Sequence, residues 1–126
     1  MKRTTSEGLN HRQSVGRRGE SLAAAFLQTK GFLLRERNWR CRYGEIDLIM
    51  ERQGEVRFIE VKTRETTTFG FPEESITHTK REHLSRAIEA WLAKERCPPS
   101  FFQVDAVTIL VEPGKAPDIR WIEGIL

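Results

Sequence analysis

Two strand-like runs joined by a tight turn constrain this chain more than any other feature. Gly44-Glu45-Ile46-Asp47-Leu48-Ile49-Met50 is a strong strand pattern, and Val56 to Arg64 is another. Between them, Glu51-Arg52-Gln53-Gly54-Glu55 is a hairpin signal with glycine at a position that tolerates positive φ. If Gln53-Gly54 is a two-residue loop, Arg52 faces Glu55 and, further along the ladder, Asp47 faces Glu60. Lys62 lies two residues beyond Glu60 and shares its face. The neighbours Ile46, Leu48, Ile49, Phe58, Ile59 and Val61 are apolar. The hairpin therefore sets two carboxylates and a lysine where water is scarce.

Like charges facing each other across a strand pair are destabilising. Two close carboxylates do not both stay ionised without a cation between them. A lysine offsets one charge; a divalent metal offsets two. Hard oxygen donors, with few imidazoles or thiolates, point to Mg²⁺ or Mn²⁺ rather than zinc. A metal held by Asp47 and Glu60 beside Lys62 fits phosphodiester chemistry: the cation acidifies water and the lysine stabilises developing charge. Glu20, on the apolar side of a helix, is a third candidate acid, with a solvated glutamate as the alternative. No G-x-x-x-x-G-K-[S/T] or G-x-G-x-x-G pattern competes. His78 and His83 lack a ligand partner pattern and read as surface residues. Ser75 near His78 reads as loop.

The 126 residues suit one domain, expected over 14–126 behind a flexible basic tail at 1–13. A helix is expected from Ser14 to about Lys30, carried by Val15, Leu22, Ala23, Phe26 and Leu27 and stopped by Gly31. Gly16 and Gly19 are poor helix formers and predict close backbone packing. Phe32 to Trp39 is a first strand. Residues 65–75, with Gly70 and Pro72, form a loop. Thr79 followed by Glu82 is a capping-box pattern opening a helix on Leu84, Ala87, Ile88, Trp91 and Leu92. Cys97-Pro98-Pro99 ends it. Phe101 to Val111 is nearly all apolar and suits a strand covered on both faces. Ile119 to Ile122 suits a short edge strand. The predicted order is α-β-β-β-α-β-β.

No apolar run approaches the ~20 residues of a membrane helix, so no membrane partner is expected. The first residues lack the apolar stretch of a secretory signal. Cys41 and Cys97 are far apart and make no disulfide framework, which suits free thiols in a reducing cytoplasm. The net charge of +3 hides an asymmetry: residues 1–42 hold 10 basic and 3 acidic side chains. Such a front suggests a polyanionic partner, nucleic acid first. Arg17, Arg18, Arg35, Arg37, Arg40 and Arg42 supply it before Asp47, and Arg64, Lys80 and Arg81 follow the third strand. Arg17, Arg18, Arg42, Arg64 and Lys80 are the expected phosphate contacts, which set affinity without reading sequence. Tyr43 and Trp39 are candidates for base stacking, Trp39 equally for the core.

Gly16-Arg17-Arg18-Gly19-Glu20, Gly44-Glu45-Ile46-Asp47-Leu48-Ile49 and Phe58-Ile59-Glu60-Val61-Lys62-Thr63-Arg64, in this order, resemble the YraN family of uncharacterised bacterial proteins. The resemblance runs over roughly residues 14–126 and includes Gly70, Pro72, Thr79-Lys80 and the Phe102 to Val107 strand. That family is similar in turn to archaeal Holliday junction resolvases and the restriction-endonuclease-like superfamily, with its D…(D/E)xK signature. The resemblance implies an α/β fold with an αβββαβ core, a mixed sheet flanked by helices. It implies Asp47, Glu60 and the Val61 carbonyl as metal ligands, Lys62 as the catalytic lysine, and Glu20 as the first-helix acid. One departure is Ile46, where the superfamily often has proline. The implied activity is Mg²⁺- or Mn²⁺-dependent hydrolysis of DNA, branched or structured DNA in particular. A nucleic-acid-binding module without turnover and an accessory protein on the same fold are the alternatives. The related resolvases are dimers, which makes a homodimer one arrangement to test.

Overall fold

In the computed structural model, which describes residues 10–65 and 78–126, the Gln53-Gly54 turn forms as its sequence predicts. Gln53 and Gly54 both take positive φ, at 50° and 80°, the pair that a two-residue hairpin loop requires. The turn joins β2 (Gly44–Arg52) to β3 (Glu55–Arg64). Arg52 pairs with Glu55, and the register holds through Ile49 with Phe58 and Leu48 with Ile59. β1 (Leu33–Cys41) runs antiparallel to β2 and is longer than expected, because a second tight turn at Arg42-Tyr43 carries pairing out to Cys41 with Gly44.

Five strands form one mixed sheet in the order β1-β2-β3-β4-β5. β4 (Phe101–Leu110) pairs parallel with the whole of β3, and β5 (Asp118–Ile122) closes the edge antiparallel to β4. Parallel neighbours need a crossover, and α2 (His78–Lys94) lies in it. β4 is buried from Val104 to Ile109, as its apolar run predicts, while Phe101 and Phe102 emerge beyond the cover.

The helices cover opposite faces. α1 (His11–Gln28) lays Ala23, Ala24 and Leu27 on Leu48, Met50, Ile59 and Val61. α2 lays Leu84, Ala87, Ile88 and Trp91 on Ile46, Ile49, Val56 and Phe58. Apart from Ala24, these are positions that helical spacing marked, and the marked Leu22 and Phe26 pack at the edge of the same core. α1 begins three residues before the expected Ser14. Asn10 accepts from the Gln13 N–H at 2.8 Å and Gln13 answers to the Asn10 N–H at 3.1 Å, a reciprocal cap that fixes the earlier start. Thr79 is already helical, so it is not the cap of α2. The expected loop with Gly70, Pro72 and Ser75 lies outside the described residues. Both cysteines are free thiols, and no described helix is long and apolar enough to cross a membrane.

Candidate functional site

β2 and β3 stop pairing one step short of Asp47 and Glu60. There the Asp47 carboxylate itself accepts the Val61 N–H, at 2.8 Å. An aspartate between two strands thus replaces a backbone ladder bond. In an extended strand a residue's N–H and C=O leave on the same edge, so the Val61 carbonyl also faces β2.

β1 is irregular at the same level. Asn38, a non-glycine residue, takes a positive φ of 54°. Its consequence is visible in its neighbours. Arg37 reaches toward α1, donating to the Arg17 carbonyl at 2.8 Å and the Ser21 hydroxyl at 3.1 Å. Trp39 packs into the cluster under α2. Asn38, between them, also turns to α1, with its amide 3.3 Å from the Glu20 carboxylate, and Arg37 approaches the same oxygen at 3.4 Å. Two consecutive residues of one strand therefore hold Glu20, which a strictly alternating strand does not permit. Asparagine tolerates this backbone better than most side chains.

Gly19 sets Glu20 over the sheet. A Cβ on Gly19 would lie 1.8 Å from the Thr63 hydroxyl oxygen, so only glycine allows α1 this close to β3. The close packing expected at the helix glycines is thus real at Gly19. At Gly16 it is absent: a Cβ there would meet nothing within 4 Å among the described residues.

These devices assemble one cleft of about 440 Å³. Glu20, Asp47, Glu60, Val61, Lys62 and Arg64 all line it. Lys62 Nζ stands 3.4 Å from Glu60. Oxygen atoms of Glu20, Glu45 and Asp47 lie within 4.8 Å of one another. Opposite ligands of a small divalent cation stand roughly 4–5 Å apart, so this donor set, all hard oxygens, fits Mg²⁺ or Mn²⁺. Glu45 is the member that sequence reasoning missed. It stands two residues before Asp47 in the Gly-Glu-Ile-Asp run, which was the available signal, and Arg40 pairs with it at 3.0 Å. Glu60 lies nearer to Lys62 and acts on Asp47 through its charge.

The electrostatics reflect crowded acids. Burial, then the Glu60 charge, pushes the Asp47 carboxyl well above the usual carboxylate range, with Glu20 and Glu45 adding to the effect and the Val61 N–H opposing it. Burial likewise raises Glu60 against the pull of Lys62 and Lys80. Burial works against the charge on Lys62, but contacts with Lys80, Glu60 and Asp47 outweigh it and raise its pKa. Lys80 is lowered, first by Lys62 and then by burial. The hydrogen bond between the two amines favours the charged form of Lys62 and disfavours that of Lys80.

The expected phosphate contacts divide by position. Arg64 lines the cleft, and Lys80 stands beside Lys62 from the first described turn of α2. Arg17 is exposed on α1 and lines a second, adjoining cleft with Arg40 and Glu45. Arg18 is exposed on α1 and lines neither. Arg42 is exposed in the β1–β2 turn, stacked 4.8 Å from the Tyr43 ring centre. Arg35 is not free for a phosphate: it pairs with Glu95 and Glu51 and lies over Trp91. Arg37 is committed to Glu20. His78 and His83 are exposed, as expected.

A second charged cluster lies apart from the cleft. Asp105 is 0% exposed and accepts from Arg57, Trp121 and the Gly124 N–H at 2.7, 2.9 and 2.9 Å. Arg57 also meets Glu55 and Glu123. Every partner is satisfied, and the cluster clasps the C-terminal strand to the sheet.

A sheet of this order, with a helix on each face and carboxylates and a lysine where β2 and β3 part, defines an α/β protein of the αβββαβ class. Residues 19–109 match the family model described as "Uncharacterised protein family UPF0102". A UPF0102 protein of Nocardia farcinica is 42% identical over 114 residues, 90% of each chain. One of Syntrophomonas wolfei is 44% identical over 107 residues, 82% of this chain and 90% of its own. One of Mycolicibacterium vanbaalenii is 39% identical over 118 residues, 94% and 98% respectively. The chain belongs to the UPF0102 family, the YraN family that its motifs resemble.

Proposed function

We propose that this protein is a metal-dependent nuclease that hydrolyses phosphodiester bonds in DNA, with branched or structured DNA as the substrate class. The observation that carries the reading is the cleft in which Lys62 stands 3.4 Å from Glu60 beside an Asp47 whose charge is disfavoured by burial and by the neighbouring acids. Such a site is poorly suited to staying empty of cations. Asp47, with Glu20 and Glu45 or with Glu60 and the Val61 carbonyl, would hold Mg²⁺ or Mn²⁺. When bound, the cation supplies positive charge against the phosphate and lowers the pKa of water. Lys62, charged and held by Glu60, orients the attacking water or neutralises charge that develops on the phosphate oxygens. Arg64 and Lys80 hold the neighbouring phosphates, and Arg37 and Asn38 fix Glu20. DNA binding without turnover is the second reading, since Arg17, Arg64 and Lys80 serve it equally.

The test is a panel of labelled DNAs: single-stranded, duplex, flap and four-way junction. Each is incubated with Mg²⁺, Mn²⁺ or EDTA, with Glu60→Ala in parallel. Cleavage that needs metal and is lost in the variant is the expected result. Salt-dependent binding with no cleavage supports the second reading. Equal cleavage by parent and variant overturns the assignment of the site.

A further inference from the structure

Glycine is the poorest helix former short of proline, so a glycine inside a helix calls for a reason. Gly19 has one in its contact with Thr63. A Cβ on Gly16, one turn earlier, would meet nothing within 4 Å among the described residues, so contacts among those residues give no reason for a glycine there.

Its surroundings do. Gly16 lies between two openings and lines both. On one side is the cleft of about 440 Å³, with Arg12, Lys62 and Arg64 in its walls. On the other is an opening of about 220 Å³ with Arg17 and Arg40. Glu20 also lines both. Arg12, Gly16 and Glu20 follow each other at intervals of four and so form one row along the helix. At Gly16 that row has no side chain, and among the described residues the two openings adjoin there. Any larger residue there would stand as a post between them. Glu20 and Glu45 line the second opening too, and Arg40 is paired with Glu45 at 3.0 Å. The cations outside the acidic centre are therefore Arg12 and Arg64 on one side and the exposed Arg17 on the other, an arrangement that can hold consecutive phosphates of one chain.

We propose that a polynucleotide strand crosses α1 over Gly16. One stretch of its phosphates lies against Arg12 and Arg64, the next against Arg17, and the linkage between them is delivered to Glu20 and Asp47. This path rests on the nucleic-acid reading of the cleft and adds the route of the strand and a residue that keeps it open.

The test substitutes Gly16→Ala, Gly16→Gln and Gly16→Leu in the full chain. Three quantities are measured: the thermal midpoint, Mn²⁺ affinity by calorimetry, and binding of a fluorescent single-stranded oligonucleotide by anisotropy. A Cβ at Gly16 meets nothing within 4 Å among the described residues and all three variants gain helix propensity, so each is expected to melt at or above the parent. Mn²⁺ affinity is expected to be unchanged, because Gly16 carries no ligand. DNA binding is expected to fall with side-chain size, by about tenfold or more in Gly16→Leu. Oligonucleotide affinity equal to the parent's in both Gly16→Leu and Gly16→Gln overturns the path alone. If the parent itself binds no DNA, the functional reading fails and the path with it.

Discussion

The Asp47 carboxylate accepts the Val61 N–H at 2.8 Å, at the point where β2 and β3 cease to pair. That bond is available to a neutral amide as well as to a carboxylate. The charge on Asp47 is therefore not needed for the strand junction, and burial beside Glu60 disfavours it.

The pH dependence follows from this. A carboxyl whose folded pKa is raised favours the fold while it is protonated. Its contribution is present below the ordinary carboxylate range and is lost as pH rises through the raised folded value. The Asp47→Asn variant keeps the neutral form at every pH. It is expected to match the parent in acid and to exceed it at neutral pH by about 1 kcal/mol, the scale of a relieved cross-strand repulsion. Urea denaturation of both proteins across pH, without metal, measures the difference. A variant less stable than the parent at neutral pH contradicts the account. Added Mg²⁺ is expected to stabilise the parent and not the variant.

Gly19 and Thr63 give a steric prediction. Gly19→Ala places a methyl 1.8 Å from the Thr63 hydroxyl, and the helix must shift. A loss of about 1–3 kcal/mol is expected, the usual cost of overpacking. Thr63→Ala in the same chain removes that oxygen, which is buried and has no hydrogen-bond partner among the described residues, and recovers part of the loss. Denaturation midpoints of the two single variants and the double variant decide it.

The hairpin was legible because its signals are local: Gln53-Gly54 fixes the turn, and alternation fixes the face of Phe58 and Ile59. What sequence reading missed depends on contacts between distant segments. Gly16 and Gly19 look alike in the chain, and only the approach of Thr63 separates them. Arg35 and Arg37 read as surface cations until Glu95 and Glu20 are placed beside them. Glu20 is held by Asn38 and Arg37 through a strand distortion centred on Asn38, which propensity does not announce. Asp105 was visible as a polar break in an apolar run, but its partners Arg57 and Trp121 come from two other strands. The start of α1 was readable, since Asn10 and Gln13 spell a cap, and the apolar periodicity used to place it begins later.

Asp105 separates stability from chemistry. Asp105→Ala leaves the Arg57 guanidinium without its most buried partner and the Gly124 N–H without its acceptor. A loss of about 3–5 kcal/mol is expected, as for a broken buried ion pair. Asp105 lies outside the acidic cleft, so Mn²⁺ affinity of the folded protein should be unaffected. Calorimetry beside denaturation reads both quantities.

Lys62 should divide binding from turnover. Lys62→Met removes a positive charge next to Glu60 and Asp47, so affinity for a divalent cation is expected to hold or rise. Cleavage is expected to fall by about 10²–10³, the scale of losing one charge-stabilising group in a transition state. Single-turnover cleavage together with metal titration separates the two. Loss of metal affinity in Lys62→Met contradicts the role assigned to the lysine.

The central claim is that the acids where β2 and β3 part form a divalent-cation centre. Calorimetric titration of Mn²⁺ into the parent protein and Asp47→Asn at neutral pH tests it most directly. The account predicts saturable binding by the parent that the variant loses, although the variant stays folded. No binding by the parent, or equal binding by both proteins, contradicts it.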